Sequence, residues 1–414
     1  MQLGVSKIDI TPNTPIELAG FAHREGKADS VATRLWLKVF YFQASSSQFV
    51  YMIADLIWWD DQWVEAMKSE IEKKYQIDRK YICLQGTHNH SGPQTSEKFS
   101  RALGRSDAAY LASIQAGVWA GLDIAMNNQE EVVLSKQTMN YHMGVNRRKI
   151  MEDDVVMAPN KEGSTDNLVT ALTFQTKQEE VKAIWIHYTC HPTITDANEI
   201  SSEFCGILCE EIEKKRPKAI VAYLQGFCGD IRPNLVTGES FTRGSLADMY
   251  HLGIAFSKAV MDMLHKPPIV INLDREIKVK ETRLLLPFNQ WADPKPPADL
   301  ADEWNRLSKN YAHPPFTLQY IQLSEELKLF ACNGELVHQY GLYLKTLDEN
   351  VLPLGYANGM VGYVPTANQM EEGGYESYDS IFYFGLPLPY DPSLETQIKS
   401  KMRTLMNDER MNNI

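Results

Sequence analysis

Long apolar runs, paired cysteines and a surplus of positive charge are all missing from this 414-residue chain. The most apolar windows, such as FVYMIADLIWW at residues 49–59, fall far short of the run of about 20 residues that spans a bilayer, so no transmembrane segment is expected. Six cysteines (Cys83, Cys190, Cys205, Cys209, Cys228 and Cys332) are scattered without a Cys-x-x-Cys pair, which excludes a cysteine-built zinc site and fits reduced thiols in a cytoplasmic protein. Cys205 and Cys209 stand one helical turn apart and read as packing residues. Acidic residues outnumber basic ones by 53 to 41, a net charge of -12, and a nucleic-acid binder needs the opposite balance. The opening stretch MQLGVSKIDITP lacks the basic-then-apolar order of a secretory leader. Nothing in the composition points to an oligomeric state.

What is present is the material of a globular protein, 44% apolar and 23% charged. Short β-rich runs alternate with amphipathic helical ones, the pattern of an α/β protein with mixed β-sheets and flanking helices. WLKVFYFQ and FVYMIADL read as a hairpin pair, DQWVEAMKSEIEKKY as a helix, and YICLQ as a strand that runs into GTHNHSGP. The order then repeats. LVTALTFQ and VKAIWIHYT are paired strands, SSEFCGILCEEIEKK is a helix, and AIVAYLQG is a buried strand ending at FCGDIRPN. INLDREIKVKETRLLLP and TLQYIQLSEELKLFACNG read as two long antiparallel strands, and the proline-rich segment at residues 288–303 as a loop or insertion boundary. VLPLGYANGMVGYVPT reads as a last strand. Length leaves open one large elaborated domain over residues 1–414 and two closely packed ones.

Histidine is scarce, ten in all, and it gathers at strand ends, where α/β proteins tend to place ligands. His88 and His90 follow the YICLQ strand; His191 sits just before Pro192 at the exit of VKAIWIHYT. His187, inside that apolar strand, reads as a hydrogen-bonded core residue. Glu335 in CNGELVHQYG follows a strand and would open a helix, and Tyr363 and Tyr375 lie in glycine-rich stretches. Asp230 in GFCGDIRPN closes a turn or orients a ligand, and Asp55 is open to the same two readings. Trp58, Trp59 and Trp63 read as core more readily than as cleft lining. Two histidines from separate strand ends plus a carboxylate are the ligand types of a catalytic zinc site, which keeps one position for water.

Taken in order, GVSKIDITP, ELAGFA, GTHNHSGP, GVNRRK, CHPT, ISSEFCG, LQGFCGDIRPN, NGEL, YANGMVGYV and GYES resemble the N-terminal catalytic domain of the neutral/alkaline (non-lysosomal) ceramidases. The resemblance implies a Zn2+ ion held by His88, His191, Glu335 and Tyr363, with His90, Arg147 and Tyr375 as the surrounding catalytic groups. It also implies a small-molecule or lipid-like acyl substrate. The family's C-terminal immunoglobulin-like domain has no counterpart within the 414 residues, and Gly226 stands where the family carries a serine. That departure leaves attack by metal-bound water on an N-acyl bond as the expected chemistry. Arg147 and Tyr375 or His90 would stabilise the oxyanion, and His90 would deliver a proton to the leaving amine. An esterase or deacetylase of a small acylated metabolite and a non-catalytic zinc-stabilised binding protein are the alternatives.

Overall fold

The computed structural model describes residues 1–13, 15–152 and 154–407. Its centre is a nine-stranded sheet assembled from two halves of the same design. In the first, Gln2–Asp9, Trp36–Gln43 and Gln48–Ala54 pair antiparallel, and the helix Asp61–Tyr75 then carries the chain to Ile82–Gly86, parallel to Gln48–Ala54. In the second, Glu130–Asn140, Leu168–Thr176 and Val181–Tyr188 are antiparallel, and the helix Glu203–Lys215 leads to Ile220–Gln225, parallel to Val181–Tyr188. The halves join through Gln2–Asp9 and Glu130–Asn140. Their two outermost strands approach each other at their ends, because the Gln85 side-chain amide donates to the Gln225 carbonyl at 2.8 Å and to that of Gly355 at 2.9 Å.

Each helix forms where capping and periodicity coincide. Asp60 accepts from the Trp63 amide to start Asp61–Tyr75, Val64, Met67 and Ile71 line its buried face, and Lys73 and Lys74 complement the dipole at its end. Ser245 and Asp248 form a reciprocal cap on Leu246–Leu264. One face of the large sheet is covered by the helices Asp61–Tyr75 and Ala108–Asn127 over the first half and by Glu203–Lys215 and Leu246–Leu264 over the second.

The other face packs on a second sheet, ordered Lys278–Leu284, Phe316–Ser324, Leu327–Cys332, Val351–Leu354. Alternation along these strands divides their side chains between two cores. Ile321, Leu323, Leu329 and Ala331 meet Phe40, Phe42, Tyr51 and Trp185 of the large sheet, while Leu318, Tyr320, Phe330 and Cys332 face the C-terminal helices His338–Leu347 and Ser393–Met406.

Several expectations of strand length are corrected here. TLQYIQLSEELKLFACNG is a hairpin of two strands, turned at Glu325 and Glu326, where the polar pair follows Ser324. INLDREIKVKETRLLLP divides between Ile269–Ile271, which pairs with Glu130–Asn140, and Lys278–Leu284 in the second sheet. VLPLGYANGMVGYVPT likewise gives Val351–Leu354 and, after a loop, Tyr363–Val364. Glu335 lies in the short strand Glu335–Leu336 and the helix begins only at His338. The proline-rich segment is a loop until the helix Ala301–Lys309.

Candidate active site

Three strand ends meet at one buried point. His88 lies just beyond Ile82–Gly86, His191 just beyond Val181–Tyr188, and Cys228 to Ile231 just beyond Ile220–Gln225. His88 Nε2 is 3.0 Å from His191 Nε2 and 3.1 Å from His90 Nε2. Glu335 arrives from the far side of the molecule on a two-residue strand whose parallel register sets it beside Tyr363. Its Oε2 lies 3.3 Å from His88 Nε2 and 3.5 Å from His191 Nε2. His88, His191 and Glu335 are buried to within 2% of completely.

Backbone carbonyls fix the direction in which two of the imidazoles point. His88 Nδ1 is 3.1 Å from the Ile57 oxygen, and His191 Nδ1 is 2.7 Å from that of Cys228 and 3.2 Å from that of Ile231. A carbonyl only accepts, so each Nδ1 carries the proton and each Nε2 presents a lone pair to the common centre. Burial, with the Arg147 charge adding to it, pushes the His191 pKa down to about 3, so the ring stays neutral at physiological pH. Burial depresses His90 in the same sense.

The lone pairs of His88 and His191, converging at 3.0 Å with no proton between them, repel unless a cation lies among them. The donor spacings of 3.0 to 3.5 Å suit ligands about 2 Å from a common ion, which tetrahedral geometry sets roughly 3.3 Å apart. Glu335 Oε2 has no hydrogen-bond donor among the described residues, as befits a carboxylate oxygen reserved for a metal. The His88, His90 and His191 group could therefore hold a metal ion, with Glu335 adjoining it.

The surrounding residues hold this geometry under strain. His88 adopts a left-handed backbone conformation, φ 64°, which a non-glycine residue takes only when its surroundings enforce it. Its ring is clamped face to face on Tyr356, 3.7 Å between centroids. Gly20, at φ +98°, lies so close to His90 that a Cβ there would meet Nδ1 at 2.2 Å, which explains the glycine of ELAGFA. Gly226 is equally confined: a Cβ would fall 2.2 Å from Thr189 Oγ1, so a serine has no room here unless Thr189 moves.

Above the histidines opens a cleft of about 190 Å³, whose lining includes His90, His191, Arg147, Tyr363 and Tyr375. Arg147 comes from the strand Gly144–Met151, and its guanidinium sits 5.4 Å from the ring centres of both Tyr363 and Tyr375. Its Nε donates to Glu376 at 2.6 Å, while its buried Nη2 has no acceptor among the described residues. Glu376 also accepts from Arg148 at 2.7 Å. The sequence reading passed over Glu376, Tyr356 and Gly20, although each lies inside a motif it had singled out.

All seven sequence-predicted site residues thus lie at or beside this centre, with His90 at the histidine cluster itself. Asp230 and Asp55 serve other purposes. Asp230 grips His338, 2.9 Å from Nδ1 to each carboxylate oxygen, and Asp55 accepts from the Trp36 amide at 3.0 Å. Trp58 and Trp59 are core, and His187 is a buried core residue whose Nε2 lies 2.8 Å from the Pro353 carbonyl, while its Nδ1 has no partner among the described residues. An apolar cavity of about 250 Å³ beside Phe99, Met360 and Phe384 includes none of these histidines.

Fold and site together define a layered α/β protein with a buried metal-capable histidine cluster beneath a cleft. Residues 1–251 match the family model described as neutral/alkaline non-lysosomal ceramidase, N-terminal, and the chain belongs to that family, one of hydrolases acting on amide bonds. Its fold is similar to the crystal structure of neutral ceramidase from Pseudomonas aeruginosa, with a TM-score of 0.77 at 16% identity, over 98% of this chain and 73% of that one. A structure described as ceramidase complexed with C2 is similar to the same degree, with a TM-score of 0.78 at 16% identity, over 98% and 74%. No curated protein matches the sequence. Among the described residues, no helix is long and apolar enough to cross a membrane.

Proposed function

We propose that this protein is a zinc-dependent amidase that cleaves an N-acyl bond, with His88, His191, Glu335 and Tyr363 as the metal ligands. The observation that carries the reading is the meeting of imidazole lone pairs and an unpartnered carboxylate oxygen at one buried point. Neutral nitrogen and carboxylate oxygen donors suit zinc. A zinc ion held there supplies Lewis-acid activation of water and of the substrate carbonyl.

The chain's own groups do the rest. His88 and His191 keep their Nε2 atoms deprotonated through the carbonyls at Nδ1. Arg147, anchored at Nε by Glu376, keeps Nη2 free to donate to the oxygen of the acyl carbonyl as charge develops on it. Tyr375 stands on the other side of Arg147 as a second donor. His90 lies between the histidine cluster and the cleft, and in this reading it delivers a proton to the leaving amine. The substrate is an acylated small molecule or lipid-like amide.

Elemental analysis of the purified protein, followed by assay of matched N-acyl amides and O-acyl esters with and without chelator, tests the reading. One zinc per chain and chelator-sensitive amide cleavage are expected. Absence of bound metal after zinc is supplied, or activity indifferent to chelator, rejects it.

A further inference from the structure

The chain is acidic as a whole, at -12, yet the lining of its cleft includes Arg147, Arg232 and Arg243 and, among the described residues, no carboxylate. Arg147 is balanced from behind by Glu376. Arg232 is not balanced. It comes from the strand Ile231–Pro233, opposite Val145 of the strand that also carries Arg147. Its side chain is only 7% exposed, and among the described residues no acid lies within 4.0 Å of it. What it has instead is the Met157 sulfur at 3.8 Å and the face of Phe241 at 4.5 Å. Neither carries a charge. Arg243 stands at the rim over Phe21, 37% exposed, with a single long contact to Asp196 at 3.6 Å.

A buried guanidinium without a counter-charge is costly to maintain, and burial next to Arg243 and Arg147 pushes its pKa down to about 9. A five-donor planar fork of this kind matches an oxyanion. We infer that the substrate carries an anionic group, a carboxylate or a phosphate, that Arg232 binds inside the cleft while Arg243 closes over it from the rim. The inference rests on the amidase reading and adds to it a class of substrate: an acidic N-acyl compound.

The test compares N-decanoylglycine, N-decanoyl-phosphoethanolamine and the neutral N-decanoylethanolamine on the parent, Arg232→Met and Arg232→Lys proteins. Both kcat/KM and, by calorimetry, equilibrium binding are measured. A charge-assisted hydrogen bond of this kind corresponds to a preference of about 10- to 150-fold for the anionic amide. That ratio should collapse in Arg232→Met and partly return in Arg232→Lys, and whichever acid shows it identifies the oxyanion. A ratio near one in the parent, or one unchanged in Arg232→Met, overturns the inference. If no amide is cleaved but an acidic one still binds through Arg232, the amidase reading falls and the anion site stands. If amides are cleaved without regard to charge, the reverse holds.

Discussion

His88 and His191 face each other nitrogen to nitrogen, Nε2 3.0 Å from Nε2, and each has its other ring nitrogen against a backbone carbonyl. Two neutral rings fixed in this way cannot share a proton, so the contact is favourable only with a cation between them. Stripping the metal should therefore destabilise the fold as well as abolish activity. At a free ion concentration 100 times Kd, the bound ion contributes about 2.7 kcal/mol. A fall in the denaturation midpoint on chelation, reversed by zinc and absent in His191→Ala, is the expected result. Equal midpoints with and without chelator would sink it.

Arg147 allows its packing and its chemistry to be separated. Lysine at this position keeps a cation beside Glu376, which Arg148 also neutralises, but it removes the second nitrogen that reaches the cleft. Arg147→Lys should unfold close to the parent midpoint while kcat drops about 100- to 1000-fold, the usual loss when one oxyanion donor is removed. A purely structural arginine would give the opposite: a lowered midpoint and an unchanged kcat in the surviving protein.

Gly20 is far in sequence from every candidate ligand, yet its Cα borders the His90 ring. Gly20→Ala places a methyl 2.2 Å from His90 Nδ1 in a backbone conformation of φ +98°. The backbone strain alone costs about 1 to 3 kcal/mol, and the ring must rotate away from His88. The kcat for amide cleavage should fall in this variant, while metal content, set by His88, His191, Glu335 and Tyr363, stays at the parent level. An unchanged kcat would mean that His90 is not held by this contact.

Strand ends carrying His88, His90 and His191 were legible in the sequence because each histidine follows an unmistakable apolar run, and the repeated strand, helix, strand order foreshadows the two matching halves of the large sheet. Glu335 was legible as a residue but not as a strand. Glu335–Leu336 exists only because Tyr363–Val364 pairs with it across 28 positions, and a two-residue strand has no periodicity of its own. The tautomers of His88 and His191 were beyond reach for a similar reason: they depend on the carbonyls of Ile57, Cys228 and Ile231, and a backbone carbonyl leaves no mark in the residue alphabet. Arg232 sat in plain view within LQGFCGDIRPN, but its lack of an acidic partner is a property of the folded neighbourhood alone.

Asp230 and His338 form a buried pair whose effect on stability depends on pH in a defined direction. Burial pushes the Asp230 carboxyl up, and the His338 charge and hydrogen bonds outweigh it, bringing its pKa to about 2. Burial pushes His338 down, and Asp230 outweighs it, raising the imidazole above its usual value. The aspartate contribution is present above the unfolded carboxyl value of about 3.9 and is lost as pH falls towards 2; the histidine contribution is complete below about 6.5 and is lost as pH rises through the raised value. The pair should therefore stabilise most between about pH 4 and 6.5. Removing the acid leaves His338 buried without its counter-charge, so Asp230→Asn should cost about 3 to 5 kcal/mol in that window. The deficit should narrow on both flanks as the parent loses the same charges. Denaturant midpoints of parent and variant followed across pH decide the matter, since a constant gap at every pH would mean that the two side chains are not an ion pair in the folded protein.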